Sequence, residues 1–173
     1  MKNLFGIWPT SIYGNNGGVD RPLEGALGNR SSVGHTGTRK PALSAPQEND
    51  PGSPRDPGYR MPRIITELAA TRPIHLAVID GIETMAGGEG PWNPAVRRVS
   101  PHVLLAGLNP VTTDAVAAAV MGFDPMAPGY QVPYSMCDST LLLAEAIGLG
   151  TRDLSRIEVL GTPIEQVRYP FVA

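Results

Sequence analysis

Apolar residues follow no regular period in the first third of this chain, and from Pro62 onward they fall into short, well-punctuated elements. Ile64, Ile65, Leu68 and Ala69 recur at helical spacing behind Pro62, a favourable first-turn residue, and Pro73 stops the run. Ile74 to Ile79 is a brief apolar, β-branched stretch ending at Asp80-Gly81, the pattern of a buried strand. A second such stretch covers Val99 to Ala106, with Pro101 near its start, where a missing amide matters least. Asn109 then reads as the cap of a helix that begins at Pro110 and closes at Gly122. Ser139 to Ile147 forms another helix, ended by Gly148, and Arg156 to Leu160 a last strand before Gly161. The order helix–strand–strand–helix–helix–strand predicts an α/β fold, a mixed sheet with flanking helices, and no internal repeat is visible.

The first third changes that picture. Pro9 to Met61 is one long Gly/Pro-rich irregular segment, with Asn16-Gly17-Gly18, Gly28-Asn29, Gly34 to Gly37, and prolines at 41, 46, 51, 54 and 57. Stretches of this length serve as lids or binding loops, or are disordered. Leu4, Phe5, Ile7, Trp8, Ile12 and Tyr13 would pin its start to a core, whereas Gln47 to Arg60 has the composition of a linker. An ordered wrap and a mobile loop both fit. The expected organisation is an N-terminal motif and loop over 1–61, belonging to the same domain as an α/β core over 62–173.

Composition narrows the classes. With 173 residues, 42% of them hydrophobic, the chain has the length of one domain and can bury a core. A net charge of -2 and a pI near 5.9 give no electrostatic case for nucleic acid or an anionic membrane as partner. Arg97-Arg98 reads as a solvated edge rather than a phosphate clamp. The single cysteine, Cys137, excludes an internal disulfide and any cluster held by several thiolates of this chain. No apolar run reaches the roughly 18 residues of a membrane span, and the opening MKNLFGIWPT is broken too soon by proline to be a signal peptide. The cytoplasm is the default expectation.

The candidate chemistry lies at element ends. Asp80 closes a strand, the position from which α/β proteins reach ligands beyond the sheet; it would bind a metal, orient a hydroxyl or act as a base, and an Asp-Gly turn explains it as simply. Gly87-Gly88-Glu89-Gly90-Pro91 offers backbone amides to a ligand but lacks phosphate-loop spacing, as does GNRSSVGHTGT. Asp114 follows the first turn of the capped helix, on an alanine-rich face where an acid needs an amide, an arginine or a metal for a partner. Asn109 is explained by capping, and Asp124 by a turn. His35, between glycines of the long loop, is the one histidine placed for acid–base work on a ligand; His75 and His102 fall within strand patterns. No zinc-binding histidine pair and no Gly-x-Ser-x-Gly elbow is present, and Cys137 reads as a small buried residue.

Taken together and in order, Lys2-Asn3-Leu4-Phe5-Gly6, Asp80-Gly81-Ile82, Gly88-Glu89-Gly90-Pro91, Ala106-Gly107-Leu108-Asn109-Pro110, Asp114-Ala115-Val116-Ala117 and Met121-Gly122-Phe123-Asp124-Pro125 resemble the domain-of-unknown-function family 362. Members of that bacterial and archaeal family often carry or accompany ferredoxin-type iron–sulfur modules. Two departures stand out. Ala86 occupies a position where the family usually has glutamate, and Asn109 one where an acid is common, so a metal site built on those positions is weakened. The resemblance implies a further α/β half ahead of the Lys-Asn-Leu-Phe-Gly motif, and so a fragment. It also implies an enzyme, redox in character, working with an iron–sulfur protein, any cluster lying in a partner or a missing segment. Asp80, Asp114 and His35 are the expected catalytic residues. Lys2, Asn3, Gly87, Gly88, Gly90 and Asn109 are the expected contacts to a small anionic ligand, with the metal and cofactor unassigned. The competing expectation is a non-catalytic binding or scaffold module.

Overall fold

The computed structural model describes residues 1–7, 54, 56–88, 90 and 93–171. The long glycine- and proline-rich segment, with His35, lies outside the described residues, as do Glu89 and Pro91.

Helix α1 (Pro57–Ala70) begins at Pro57 rather than at Pro62. Asp56 caps it by accepting from the Gly58 amide at 2.9 Å, and Pro57 takes the first helical position. Pro62 therefore sits inside the helix, where it has no N–H to offer the Gly58 carbonyl four residues back. That carbonyl instead accepts from the Asp138 amide at 2.9 Å. The approach is so close that a side chain at Gly58 would collide with the Met136 carbonyl. The buried residues Pro62, Ile65, Thr66 and Ala69 recur at helical spacing and give α1 one packed face.

Four short strands form two two-stranded antiparallel sheets, which follow one another along a bent ribbon. β1 (Ala77–Gly81) pairs antiparallel with β4 (Val103–Gly107), Ala77 lying opposite Gly107, and β2 (Thr84–Ala86) pairs antiparallel with β3 (Arg97–Val99). Between the ladders two residues, Ile82 and Glu83, stand against three: Ser100, Pro101 and His102. The extra residue makes a bulge, the setting in which a proline without an N–H is tolerated. His102 takes the left-handed conformation there (φ 56) and donates its amide to Ile82 O at 3.3 Å. The run Val99 to Ala106, predicted as one strand, is broken at this point. The α/β class holds, and every strand pair among the described residues is antiparallel.

Helix α2 (Pro110–Val120) folds back along one face of the ribbon. Gly107 permits the close approach: a side chain there would strike Thr113 Oγ1. On its other side α2 meets α3 (Thr140–Ala146), capped by Ser139, and Val111, Ala115, Leu141 and Ala144 form the core. Met1, Tyr134, Leu149 and Ile157 pack around that core. Arg152, 7% exposed, fastens the rim: Nε donates to Glu145 Oε2 at 3.1 Å, and Nη1 to the carbonyls of Pro125 (3.4 Å) and Ala127 (3.2 Å).

The strand expected over Arg156 to Leu160 does not form. Asp153 accepts from both the amide and the hydroxyl of Ser155 and starts a 3-10 turn, Leu154–Arg156, that takes Arg156 out of extended backbone. Ile157 then turns into the core while Leu160 stays 82% exposed. The chain ends with a short helix α4 (Ile164–Val167) and a segment bonded to the end of α2 through Tyr169 N to Val120 O and Phe171 N to Met121 O.

Candidate functional site

The expected site residues are distributed along the ribbon and α2 rather than gathered at one point. Asp80 lies near the end of β1, exposed, and its Oδ1 accepts from the Ile82 amide at 3.0 Å, closing an Asx turn into the bulge. Asn109 lies beyond the opposite end of the β1–β4 ladder. Its Oδ1 accepts from the amides of Val111 (2.9 Å) and Thr112 (3.1 Å), and its Nδ2 donates to the Leu149 carbonyl at 2.6 Å, so it caps α2 and ties that end to the α3–Leu149 segment. Asp114, half-buried, accepts from the Met1 nitrogen at 2.7 Å, just ahead of the 3-10 turn Lys2–Ile7. Lys2 and Asn3 are exposed on that turn.

Tyr134 stands beside Asp114. Burial raises its phenol above the ordinary value; hydrogen bonds with Ser139 and Thr140 act against this, and the Asp114 charge adds to it. The group is held as a neutral hydrogen-bonding phenol. Burial also pushes the Cys137 thiol up, with the Asp138 charge beside it, which disfavours the thiolate a nucleophile would need. Among the described residues no group of three or more His, Cys, Asp or Glu is placed to hold a metal ion. None of the described helices is long and apolar enough to cross a membrane.

The glycines at the ribbon tip are explained first by the tip itself. Gly87 and Gly88 have φ of 82° and 154°, and a side chain would collide with the Ala95 carbonyl at the first and with the Asn93 side chain at the second. Gly90, buried, accepts from the Asn93 amide at 3.1 Å. Folded in this way, the tip helps to wall a groove of about 420 Å³, lined by Met85, Ala86, Gly87 and Gly88 from the ribbon, Met121 and Phe123 from the end of α2, Val132, Pro133 and Ser135 from the following loop, and Phe171. The volume lies within the roughly 300–1,000 Å³ of small-molecule sites. Gly87 and Gly88 thus reach a cavity, while Asp80 and Asp114 are not among its lining residues. Asp114 lies about 10 Å along α2 from Met121, at 1.5 Å per residue.

Met85, Met121, Phe123, Val132, Ser135 and Phe171 escaped the sequence reading. Met85, next to the glycines, carried a positional hint, and Met121 and Phe123 stood in a family motif without a role; Val132, Ser135 and Phe171 reach the groove through tertiary packing.

The chain matches the family described as "Domain of unknown function (DUF362)" over residues 1–119. It belongs to that family. Comparison with curated proteins and with solved structures gives no match. The matched region of this DUF362 chain holds the ribbon and nearly all of α2; α3, Arg152 and the outer wall of the groove follow it.

Proposed function

We propose that this chain is the C-terminal part of an α/β enzyme domain, completed by a second α/β half and working with an iron–sulfur redox partner, which binds a small anionic ligand at its strand ends. One observation carries the reading: the face of the β1–β4 ribbon turned away from α2 is largely apolar and, among the described residues, open. Leu76, Val78, Leu104 and Leu108 lie on it at 60 to 81% exposure. A two-stranded ribbon is marginal by itself, and a contiguous apolar face of this kind marks a contact surface. β4 (VLLAG) has no charge or proline to protect its edge, as befits a strand from inside a larger sheet.

Asp80 lies on that same face, two residues from Val78 and opposite Leu104. A covering half would place this exposed turn carboxylate at a dry seam, where it can hold a proton or a cation. Asp114 would act from the α2 side, and the glycine tip would supply amides to the anionic end of the ligand. The lone thiol of Cys137 cannot hold a cluster, so the iron–sulfur group belongs to the partner or the completing segment. The scaffold reading draws on a different observation: Asp80, Asn109 and Asp114 each already have a structural partner.

The test is native mass spectrometry of the complete protein, with Asp80→Asn and Asp114→Asn. The enzyme reading expects both substitutions to strip the co-purifying ligand or metal. If they shift only the melting temperature and leave the bound mass unchanged, the chain is a scaffold.

A further inference from the structure

We infer that the groove at the ribbon tip binds a small organic anion with a flat apolar body, in the class of aromatic carboxylates. This deepens the reading above and rests on it for the presence of a small anionic ligand. Its grounds are the wall chemistry and the placement of two guanidinium groups.

The walls are apolar and soft. Met85 and Met121 contribute thioethers, Phe123 and Phe171 rings, and Val132 and Pro133 aliphatic surface. Thioether sulfurs pack favourably against aromatic rings and adapt to their outline, so a flat body fits this lining. Polar contacts come from the Ser135 hydroxyl and the backbone at Gly87 and Gly88, and no acid occurs among the described lining residues.

Positive charge stands at the edge. Arg97 is directly opposite Ala86 in the β2–β3 ladder, so its side chain springs from the face on which Ala86 lines the groove. Its Nη2 donates to the Phe171 carbonyl at 2.8 Å, fixing the guanidinium beside a wall residue. Arg168 Nη2 reaches the Gly122 carbonyl, between Met121 and Phe123, at 3.5 Å. A guanidinium carries five N–H donors, and a carbonyl bond engages one of them. Arg98, one residue along and opposite Met85, pairs instead with Glu83 at 3.0 Å. Of the two neighbouring arginines, Arg97 is thus the one bonded to a wall residue, while Arg98 is taken up by Glu83. Guanidinium charge beside an apolar cleft selects an amphiphilic anion, its body among the methionines and phenylalanines and its carboxylate toward Arg97 and Arg168.

The test uses the full chain with ¹³C-methyl methionine, titrated with 2-naphthoate and, separately, with neutral 2-naphthalenemethanol. Naphthoate is expected to shift the Met85 and Met121 methyl signals and to leave Met61, on α1, in place. The double variant Arg97→Gln, Arg168→Gln is expected to weaken naphthoate about tenfold and leave the alcohol unaffected. Equal affinity for acid and alcohol in the parent chain, shifts that miss both groove methionines, or an unchanged naphthoate affinity in the variant would overturn the proposal. The two readings fail separately. Loss of ligand from the complete protein on Asp80→Asn, without any naphthoate response, removes the groove alone. A charge-dependent naphthoate response, with Asp80 and Asp114 dispensable, removes the catalytic seam alone.

Discussion

The two faces of the β1–β4 ribbon have been treated in opposite ways. On the α2 side, Ala77, Ile79, Val103 and Leu105 are half-buried under the helix; beyond it Val111, Ala115 and Ala144 are fully buried and Leu141 nearly so, and Arg152 closes the rim with a carboxylate and two carbonyls. On the other side, Val78 and Leu104, equally apolar, stand 64% and 63% exposed. Hydrophobicity alone does not separate these residues; the presence of a covering layer does. The closed face accounts for how this chain holds together, and the open face and the tip for what it meets.

The contrast can be broken most severely on the closed side. Leu141→Ala is expected to cost about 2–5 kcal/mol, read as a fall in denaturant midpoint, because the packed helices around it cannot collapse into the space. An effect below about 1 kcal/mol would mean that the α2–α3 core is loosely packed.

Arg152→Gln comes next, at about 2–4 kcal/mol, since it leaves Glu145 without its ion pair and the Pro125 and Ala127 carbonyls without a donor. The same pair sets a pH dependence. The Glu145 carboxyl is held below its ordinary value, chiefly by the Arg152 amide and then by the Thr151 hydroxyl. A depressed carboxyl contributes its stability fully above the unfolded value, about 4.3, and loses it as the pH falls through the lower folded value. Thermal melts should therefore weaken on the acid side of pH 4, and Glu145→Gln should flatten that limb. An acid limb identical in the variant would assign the loss to other groups.

The smallest effect is expected on the open side. Leu104→Gln should change the stability of this chain by no more than about 0.5 kcal/mol, as for a surface position, while weakening its association with a covering half. A loss comparable to Leu141→Ala would show that the face is covered within the chain itself.

Much of α2 was legible because its boundaries are local. Asn109 and Pro110 start it and Gly122 (φ 84) stops it, each acting within a few residues. The same grammar stood at Asp56-Pro57 and was passed over for Pro62, which placed the start of α1 too late. Strand limits were less legible, since they depend on partners distant in sequence. Nothing near Val99 to Ala106 announces that two residues will face three across the ribbon. Arg156 to Leu160 has a strand's composition and lacks a strand's neighbour, so the local pull of Asp153 on Ser155 prevailed. The turn at Asp80, the cap at Asn109 and the glycine tip were legible because turns and caps write themselves into short motifs. The groove was not, because Phe123, Val132 and Phe171 become neighbours only after α2 has folded back and the C-terminal segment has bonded to its end.

Pro62 has a consequence beyond the shape of its helix. By deleting one internal bond of α1 it leaves a vacancy that the amide of Asp138, supplied from the loop before α3, fills. The helix and the loop before α3 are thereby soldered into one cooperative unit: neither satisfies its backbone until the other arrives. Loosening of either element would then be felt at the other, including the stretch from Val132 to Ser135 that walls the groove.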